Sequence, residues 1–335
     1  MTAAEPLDLY RAATRNSARS AGFYNSNVRV DTPSGPMVVR IPIPGADVMD
    51  LRIWPEYQVL GAVASYVEHV PKLVHVSQEP MFQVYEFVPG DLLDDVAPRG
   101  VEVPRFVLTD VIELFTQLTR VPRDHLPPSP SWWPDDGDTA GFANILSGVT
   151  RDVWDRFQDE FASLYRELGV PSDPLEPVLE GWKTLHSRPF RLVHSDVHRK
   201  NMILCDGHVV FLDWELALWG DPVYDLAVHL HKMAYQPAEQ DAVVRRWQER
   251  LPRELTAGWQ QDLPTYLTHE RVKSAIVDAV RYAKLFAVGG LSSQREQQLV
   301  RSLTGKVNAA RAIWGHDRML DDAKVEAVLR RRASG

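Results

Sequence analysis

The stretch that decides the reading is His194–Ser195–Asp196–Val197–His198–Arg199–Lys200–Asn201. It continues through Met202–Ile203–Leu204, Asp206–Gly207 and Val209–Val210–Phe211–Leu212, and closes on Asp213–Trp214–Glu215. Asp–Gly between two short apolar runs signals a two-residue hairpin turn, because both central positions of the favoured turn need positive φ. Asn201 stands where the first strand begins and Asp213 where the second ends. A hairpin sets these positions side by side, so an amide and a carboxylate can converge on one point. Asp196 lies on the loop leading in, which brings a second carboxylate nearby. Downstream, Asp221–Pro222 reads as the start of a turn, and Asp225 as a structural acceptor for backbone N–H groups of the loop before the hairpin.

Upstream, the first ninety or so residues read as strands around one helix. Asn27–Val28–Arg29–Val30–Asp31 and Met37–Val38–Val39–Arg40–Ile41 flank the turn residues Thr32–Pro33–Ser34–Gly35, a hairpin pattern. Leu73–Val74–His75–Val76 and Met81–Phe82–Gln83–Val84–Tyr85–Glu86–Phe87 form a second pair. Between the pairs, Pro55 suits a helix's first turn, and Leu60, Val63, Ala64 and Val67 recur at helical spacing. Glu56 lies four residues before Leu60, on the same face. A carboxylate on that side needs a partner, most simply a cation.

Beyond Val88–Pro89–Gly90 the pattern turns helical, with a stripe of Val107, Val111, Leu114, Phe115 and Leu118. Residues 127–138 are rich in Pro, Ser, Asp and Gly, and are the segment expected to be most mobile; Trp132 and Trp133 within it suit packing onto a neighbouring helix more than covering a ligand. Helical patterns return over roughly 153–186 and again after 225. Ser293 with Glu296 resembles a capping box, and Arg330–Arg331–Arg332 reads as a solvated tail. Cys205, in an apolar hairpin strand, reads as packing.

Length and composition narrow the class. The 335 residues suit two domains or two lobes, and 44% hydrophobic with 24% charged residues is ordinary for a folded, soluble chain. A net charge of −8 argues against a nucleic-acid partner, whose phosphates select basic surfaces. A single cysteine excludes an intrachain disulfide and a four-cysteine zinc site. No apolar run is long enough to span a membrane, and the first fifteen residues lack the apolar region of a signal peptide. The expected location is the cytoplasm.

An amide and a carboxylate that share a point can hold Mg²⁺, a hard ion that takes oxygen ligands and usually only one or two from protein. A further aspartate beside such a site can orient an attacking hydroxyl. At an ordinary pKa near 4 it is a weak base, so Asp196 would orient the hydroxyl and take its proton late. The combination resembles the catalytic loop and metal-binding aspartate of the protein-kinase-like fold. It is most similar to the aminoglycoside phosphotransferase and choline kinase branch, and within it to antibiotic phosphotransferases. The branch features are His198 two residues after Asp196, Asp213–Trp214–Glu215, the run from Gly220 to Ala227, and Glu86–Phe87–Val88–Pro89–Gly90–Asp91–Leu92–Leu93, which resembles the interlobe hinge.

That resemblance, which covers roughly residues 20–230, implies an α+β fold in two lobes: a small antiparallel-sheet N-lobe over residues 1–88 and a mainly helical C-lobe over 89–335. It implies Asp196 as the catalytic residue and Asn201 and Asp213 as metal ligands. Arg40 takes the strand position of the phosphate-binding lysine, with Glu56 as its helix partner. Residues 22–27, including Asn25 and Ser26, stand where a phosphate-covering loop would be. The backbone of Glu86, Phe87 and Val88 would meet the base of ATP or GTP. His194 would hold the loop, His198 would support it or contact substrate, and Glu215 would lie at or just beside the metal.

Three departures stand out. Ser195 replaces the common glycine, Arg40 replaces lysine, and Arg199–Lys200 replaces the common Pro–Gly, adding two cations beside the reaction site. Those cations would repel a polycation, and no acidic cluster marks a polycationic pocket. The expected acceptor is therefore a hydroxyl of a non-aminoglycoside antibiotic. A metabolic kinase of the choline, homoserine or methylthioribose type is the alternative, and a catalytically silent kinase-like binding protein the remaining one.

Overall fold

Val28, Val39, Phe82 and Val84 are fully buried within a five-stranded antiparallel sheet, and their alternation follows the period-two pattern of its strands. The computed structural model describes residues 5–15, 20–21, 25–43 and 48–333. Its first elements are α1 (Glu5–Arg15), β1 (Ser20–Ala21), β2 (Asn25–Thr32), β3 (Gly35–Pro42), α2 (Glu56–Val63), β4 (Leu73–Gln78) and β5 (Met81–Glu86). The sheet order is β1-β2-β3-β5-β4, with Val28 opposite Val39 and Val39 opposite Val84. Both predicted hairpins are therefore present, and β5 crosses back to pair with β3.

Helix α1 is an addition to the sequence reading. Its stripe of Leu9, Tyr10 and Ala13 is too narrow to stand out in a polar segment, yet Tyr10 stacks on Phe82 with ring centroids 5.0 Å apart. Helix α2 stops earlier than its apolar spacing suggests: Pro55 is the N-cap, Ala64 the C-cap, and Val67 is buried beyond the helix end.

The remainder is mostly helical. It comprises β6 (Asp91–Leu92), α3 (Leu93–Val96), α4 (Arg105–Leu118), α5 (Thr139–Phe157), α6 (Ala162–Leu168), α7 (Glu176–Trp182), β7 (Arg191–Val193), β8 (Met202–Cys205), β9 (His208–Phe211), β10 (Leu218–Gly220), α8 (Pro222–Met233), α9 (Pro237–Arg250), α10 (Trp259–Val288), α11 (Ser293–Ile313) and α12 (Asp322–Ala333). The fold class is thus the expected α+β, protein-kinase-like one. Strands β8 and β9 close across Asp206 and Gly207, both at positive φ (50° and 82°), as the dipeptide requires. Gly90 sits at φ 131° with its α-carbon pressed on β8, where a Cβ would lie 2.1 Å from the Leu204 carbonyl oxygen, so the segment after β5 can dock there only with glycine.

Long α10 packs on α5, α7, α8, α11 and α12. Three local expectations change. The α11 cap is Ser292, accepting from the Arg295 N–H, while Glu296 pairs with Arg330 at 2.7 Å. The arginine run is the outer face of a docked helix, because Val325, Val328 and Leu329 bury the other face, and Arg331 and Arg332 pair with Glu167 and Glu160. The breaker-rich segment 127–138 is tied at several points. Arg123 donates to Pro127 O and Ser129 Oγ, Asp136 accepts from Phe190 N–H, and the buried Trp133 donates to Trp219 O at 2.8 Å. Breakers forbid a helix there but do not remove side-chain partners. Trp132, by contrast, is 60% exposed.

Candidate active site

Helix α8 builds the loop before the hairpin. Asp221, Asp225, His229 and Lys232 follow one another at spacings of four, four and three, which places them on one helical face. Asp221 caps α8 by accepting from Val223 N–H, and also takes Arg188 (2.5 Å) and Tyr266 O–H (2.8 Å). Asp225 accepts the N–H groups of His194 (3.0 Å) and Ser195 (2.8 Å), the structural role expected of it. His229 bridges Val197 O and Tyr235 OH. Held from below in this way, the loop keeps Ser195 in the left-handed region (φ 61°), where the side chain's Cβ is strained. His194 is fully buried against Trp214, and its Nδ1 accepts Asp196 N–H at 3.3 Å. Burial pushes its pKa down to about 4, so the ring stays neutral.

Both oxygens of Asp196 are engaged. Oδ2 accepts from Asn201 Nδ2 (2.9 Å), which also bonds the Asp196 carbonyl. Oδ1 carries the ammonium of Lys232 and lies 3.4 Å from His198 Nε2. Burial alone would raise this carboxyl; Lys232 and His198 outweigh it and hold it well below the usual carboxylate range. Asp196 is therefore an anion that can orient a hydroxyl and a poor base toward one.

A second polar cluster joins the sheet to the hairpin. Arg40 on β3 reaches Asp213 Oδ1 at 2.7 Å, Glu215 Oε2 at 3.1 Å and Glu56 Oε2 at 3.6 Å. Glu56, placed by α2, also accepts Tyr85 O–H (2.9 Å) and Trp214 N–H (3.0 Å), so it fixes both the cation and the backbone next to Asp213. Burial works against the charge on Arg40, but the three carboxylates outweigh it and keep the guanidinium charged. Asp213 itself is at φ 64°, and Leu212 N–H donates to Asn201 O at 2.8 Å, which brings the backbones flanking the two candidate ligands together.

A divalent cation suits this cluster on two grounds. Asn201 uses its Nδ2 on Asp196, which leaves its Oδ1 as a hard oxygen donor, on a backbone bonded to the residue before Asp213. Three carboxylates share Arg40; burial, then the neighbouring Asp213, push Glu215 up to about 7, a surplus of negative charge that a metal would relieve. Among the described residues, no group of three or more His, Cys, Asp and Glu side chains converges as a complete metal site. Two protein oxygens, with the rest from phosphates and water, is the ordinary provision for Mg²⁺.

Other residues singled out in the sequence lie as follows. Asn25, at the start of β2, donates to Glu215 at 3.1 Å, and Ser26 Oγ is buried without a partner among the described residues. Gly22, Phe23 and Tyr24 of the expected phosphate-covering loop lie outside the described residues. Glu86 N–H donates to Lys72 O and Phe87 N–H to Pro36 O, so those two amides are engaged inside the sheet. Arg199 departs from expectation: it is buried, and its guanidinium is turned to the carbonyls of Ala97 and Met233, tying α3 to α8 rather than adding charge at Asp196. Lys200 faces Asp94 at 4.0 Å. The cation at Asp196 is Lys232, which the sequence reading missed. Its signal was a run of polar residues at helical spacing on an otherwise apolar helix.

The phosphotransferase enzyme family, APH, matches residues 16–261. Among curated proteins, none matches this sequence. Solved structures share the fold. A choline/ethanolamine kinase family protein from Mesorhizobium loti superposes with TM-score 0.58 at 14% identity, covering 97% of this chain and 99% of that one. A thermostable mutant of aminoglycoside phosphotransferase APH(4)-Ia, in ternary complex with AMP-PNP and hygromycin B, gives 0.56 at 14% identity over 91% and 96%. Macrolide 2'-phosphotransferase MphH from Brachybacterium faecium gives 0.50 at 15% over 88% and 97%. No helix among the described residues is long and apolar enough to cross a membrane. With a matching family that spans well over half its length and a site built in the order its motifs require, the chain belongs to the APH phosphotransferase enzyme family.

Proposed function

We propose that this protein transfers the γ-phosphoryl group of ATP or GTP to a hydroxyl of a small molecule, and that the acceptor is a non-aminoglycoside antibiotic. The observation that carries the reading is the placing of Asn201 between the other two: its side chain donates to Asp196, and its carbonyl accepts the N–H of Leu212, the residue before Asp213. In this reading Asn201 and Asp213 hold Mg²⁺, which would neutralise the phosphates when bound. Asp196, ionised, orients the acceptor hydroxyl and receives its proton late in the transfer. Arg40, fixed by Glu56, faces the phosphates, with Asn25 and Ser26 at the same end of the sheet. The base lies along residues 86–88, between an N-lobe of residues 1–88 and a C-lobe of 89–335. With the Glu86 and Phe87 amides engaged, it is read by backbone carbonyls and the Val88 amide.

A neutral or anionic acceptor is favoured by further cations on α10 and α11. Lys273 of α10 pairs with Glu270, and Arg281 of α10 and Lys306 of α11 with Asp278. In each pair the cation is the more exposed partner, as it also is at Lys232 and Asp196. A polycation would be repelled there.

The test is a transfer assay with ATP and GTP, Mg²⁺, and a panel of macrolide, nucleoside, peptide and aminoglycoside antibiotics alongside small metabolic alcohols, with Asp196→Ala as control. Transfer to a neutral antibiotic that disappears in the variant is the expected result. Efficient transfer to kanamycin-type compounds alone, or to a metabolite alone, overturns the acceptor assignment. Nucleotide binding with no transfer to any member of the panel overturns the activity.

A further inference from the structure

Resting on the phosphotransfer reading above, we propose that Lys232 is a catalytic residue whose ammonium group binds the phosphoryl group in flight between nucleotide and acceptor. The inference starts from which cations reach the reacting centre. Arg40 sits on the metal side among three carboxylates. Arg199 is turned to two carbonyls, and the Lys200 ammonium lies by Asp94 on a half-exposed side chain. Only Lys232 of these four contacts Asp196, and it does so on Oδ1.

The shared carboxylate fixes the distance. Two groups hydrogen-bonded to one carboxylate lie within about 6 Å of each other. An acceptor hydroxyl oriented by Asp196 is therefore held that close to the Lys232 nitrogen. During transfer, the bond from phosphorus to the oxygen bridging to the β-phosphate breaks, and its electron pair leaves with the nucleoside diphosphate. The bond from the acceptor oxygen to phosphorus forms, and the hydroxyl proton passes to Asp196. The moving phosphoryl group thus sits next to the acceptor oxygen, with its equatorial oxygens in reach of an ammonium on a four-carbon stem. The Lys232 side chain keeps 30% exposure and ends on the last turn of α8, so its head can shift from Asp196 toward phosphate without disturbing the helix.

Calorimetry of Mg²⁺–AMP-PNP and Mg²⁺–ADP binding to the wild-type, Lys232→Met and Lys232→Arg proteins separates this role from a structural one. Loss of one charged contact to the terminal phosphate lowers affinity for AMP-PNP by about 10-fold or more, with ADP affinity unchanged and with recovery in the Arg variant. Once an acceptor is identified, kcat in Lys232→Met falls by about 100-fold while the acceptor KM holds. Equal losses for both nucleotides, or no loss for either, overturn the role of Lys232 and leave the phosphotransfer reading intact. A wild-type protein that binds neither nucleotide overturns that reading itself. Should Lys232→Met not fold, Lys232→Gln, which keeps a donor toward Asp196 without the charge, carries the same comparison.

Discussion

Arg40 and Glu56 come from different elements, a strand and a helix, yet Arg40 Nε lies 3.6 Å from Glu56 Oε2, both almost fully buried. The pair is one corner of a cluster that includes Asp213 and Glu215. Removing the cation leaves three crowded carboxylates, two of them buried. Arg40→Met is expected to destabilise the fold by about 3 kcal/mol, with part of the loss restored by millimolar Mg²⁺. Urea unfolding with and without Mg²⁺ checks this; a variant as stable as the wild type shows that the cluster is not held by charge.

Ser195 combines a left-handed backbone with a buried hydroxyl that has no partner among the described residues. Glycine removes both penalties but adds freedom to the unfolded chain. Ser195→Gly is expected to gain about 1 kcal/mol net, with Ser195→Ala in between, because alanine keeps the strained φ. Denaturation midpoints for the two variants decide it.

Arg188 is a fully buried arginine held by Asp221, Asp262 and the carbonyl of Ala257. Taking it away strands two carboxylates in the interior. Arg188→Met should cost about 3–5 kcal/mol and lower soluble yield, although its bonding partners include none of Asp196, Asn201 and Asp213. Undiminished stability in this variant would mean that the interior there is wet enough to solvate both acids.

Acid should unfold the protein through buried histidines. His194, His229 and His231 are each pushed down to about 4 by burial, from 6.5. A depressed folded pKa means the unfolded chain binds protons first, so stability is fully present above 6.5 and is lost as pH falls through 4. Asp225 and Glu215 oppose this: burial raises them to about 6 and about 7, so their contributions grow over the same descent. Three histidines against these two carboxyls give a net loss. The melting temperature should fall between pH 6.5 and 4, and less steeply in His229→Gln. A flat profile contradicts the burial argument.

Trp132 is exposed beside a buried, hydrogen-bonded Trp133. Trp132→Ala should change stability by less than about 0.5 kcal/mol. If the ring contacts acceptor, the variant raises acceptor KM with kcat unchanged; an unaltered KM assigns it to the surface.

Much of this was written locally in the chain. Period-two apolar runs with Thr–Pro–Ser–Gly and Asp–Gly turns specified the hairpins, and the short link from Asn201 to Asp213 brought those two residues together whatever surrounded them. An acid on the apolar side of α2 announced that Glu56 needed a cation. What the sequence could not decide were contacts set by packing between distant elements. Which cation reaches Asp196 depended on α8 docking under the loop: Arg199, only three residues away, turned to carbonyls, and Lys232, thirty-six residues on, took its place. The docking of α1 and α12 likewise followed from buried faces that the sheet and α6 supplied. Turns and periodicities are properties of neighbouring residues and can be read along the chain, whereas the direction of a long charged side chain depends on which carbonyls and carboxylates the whole fold leaves within its reach.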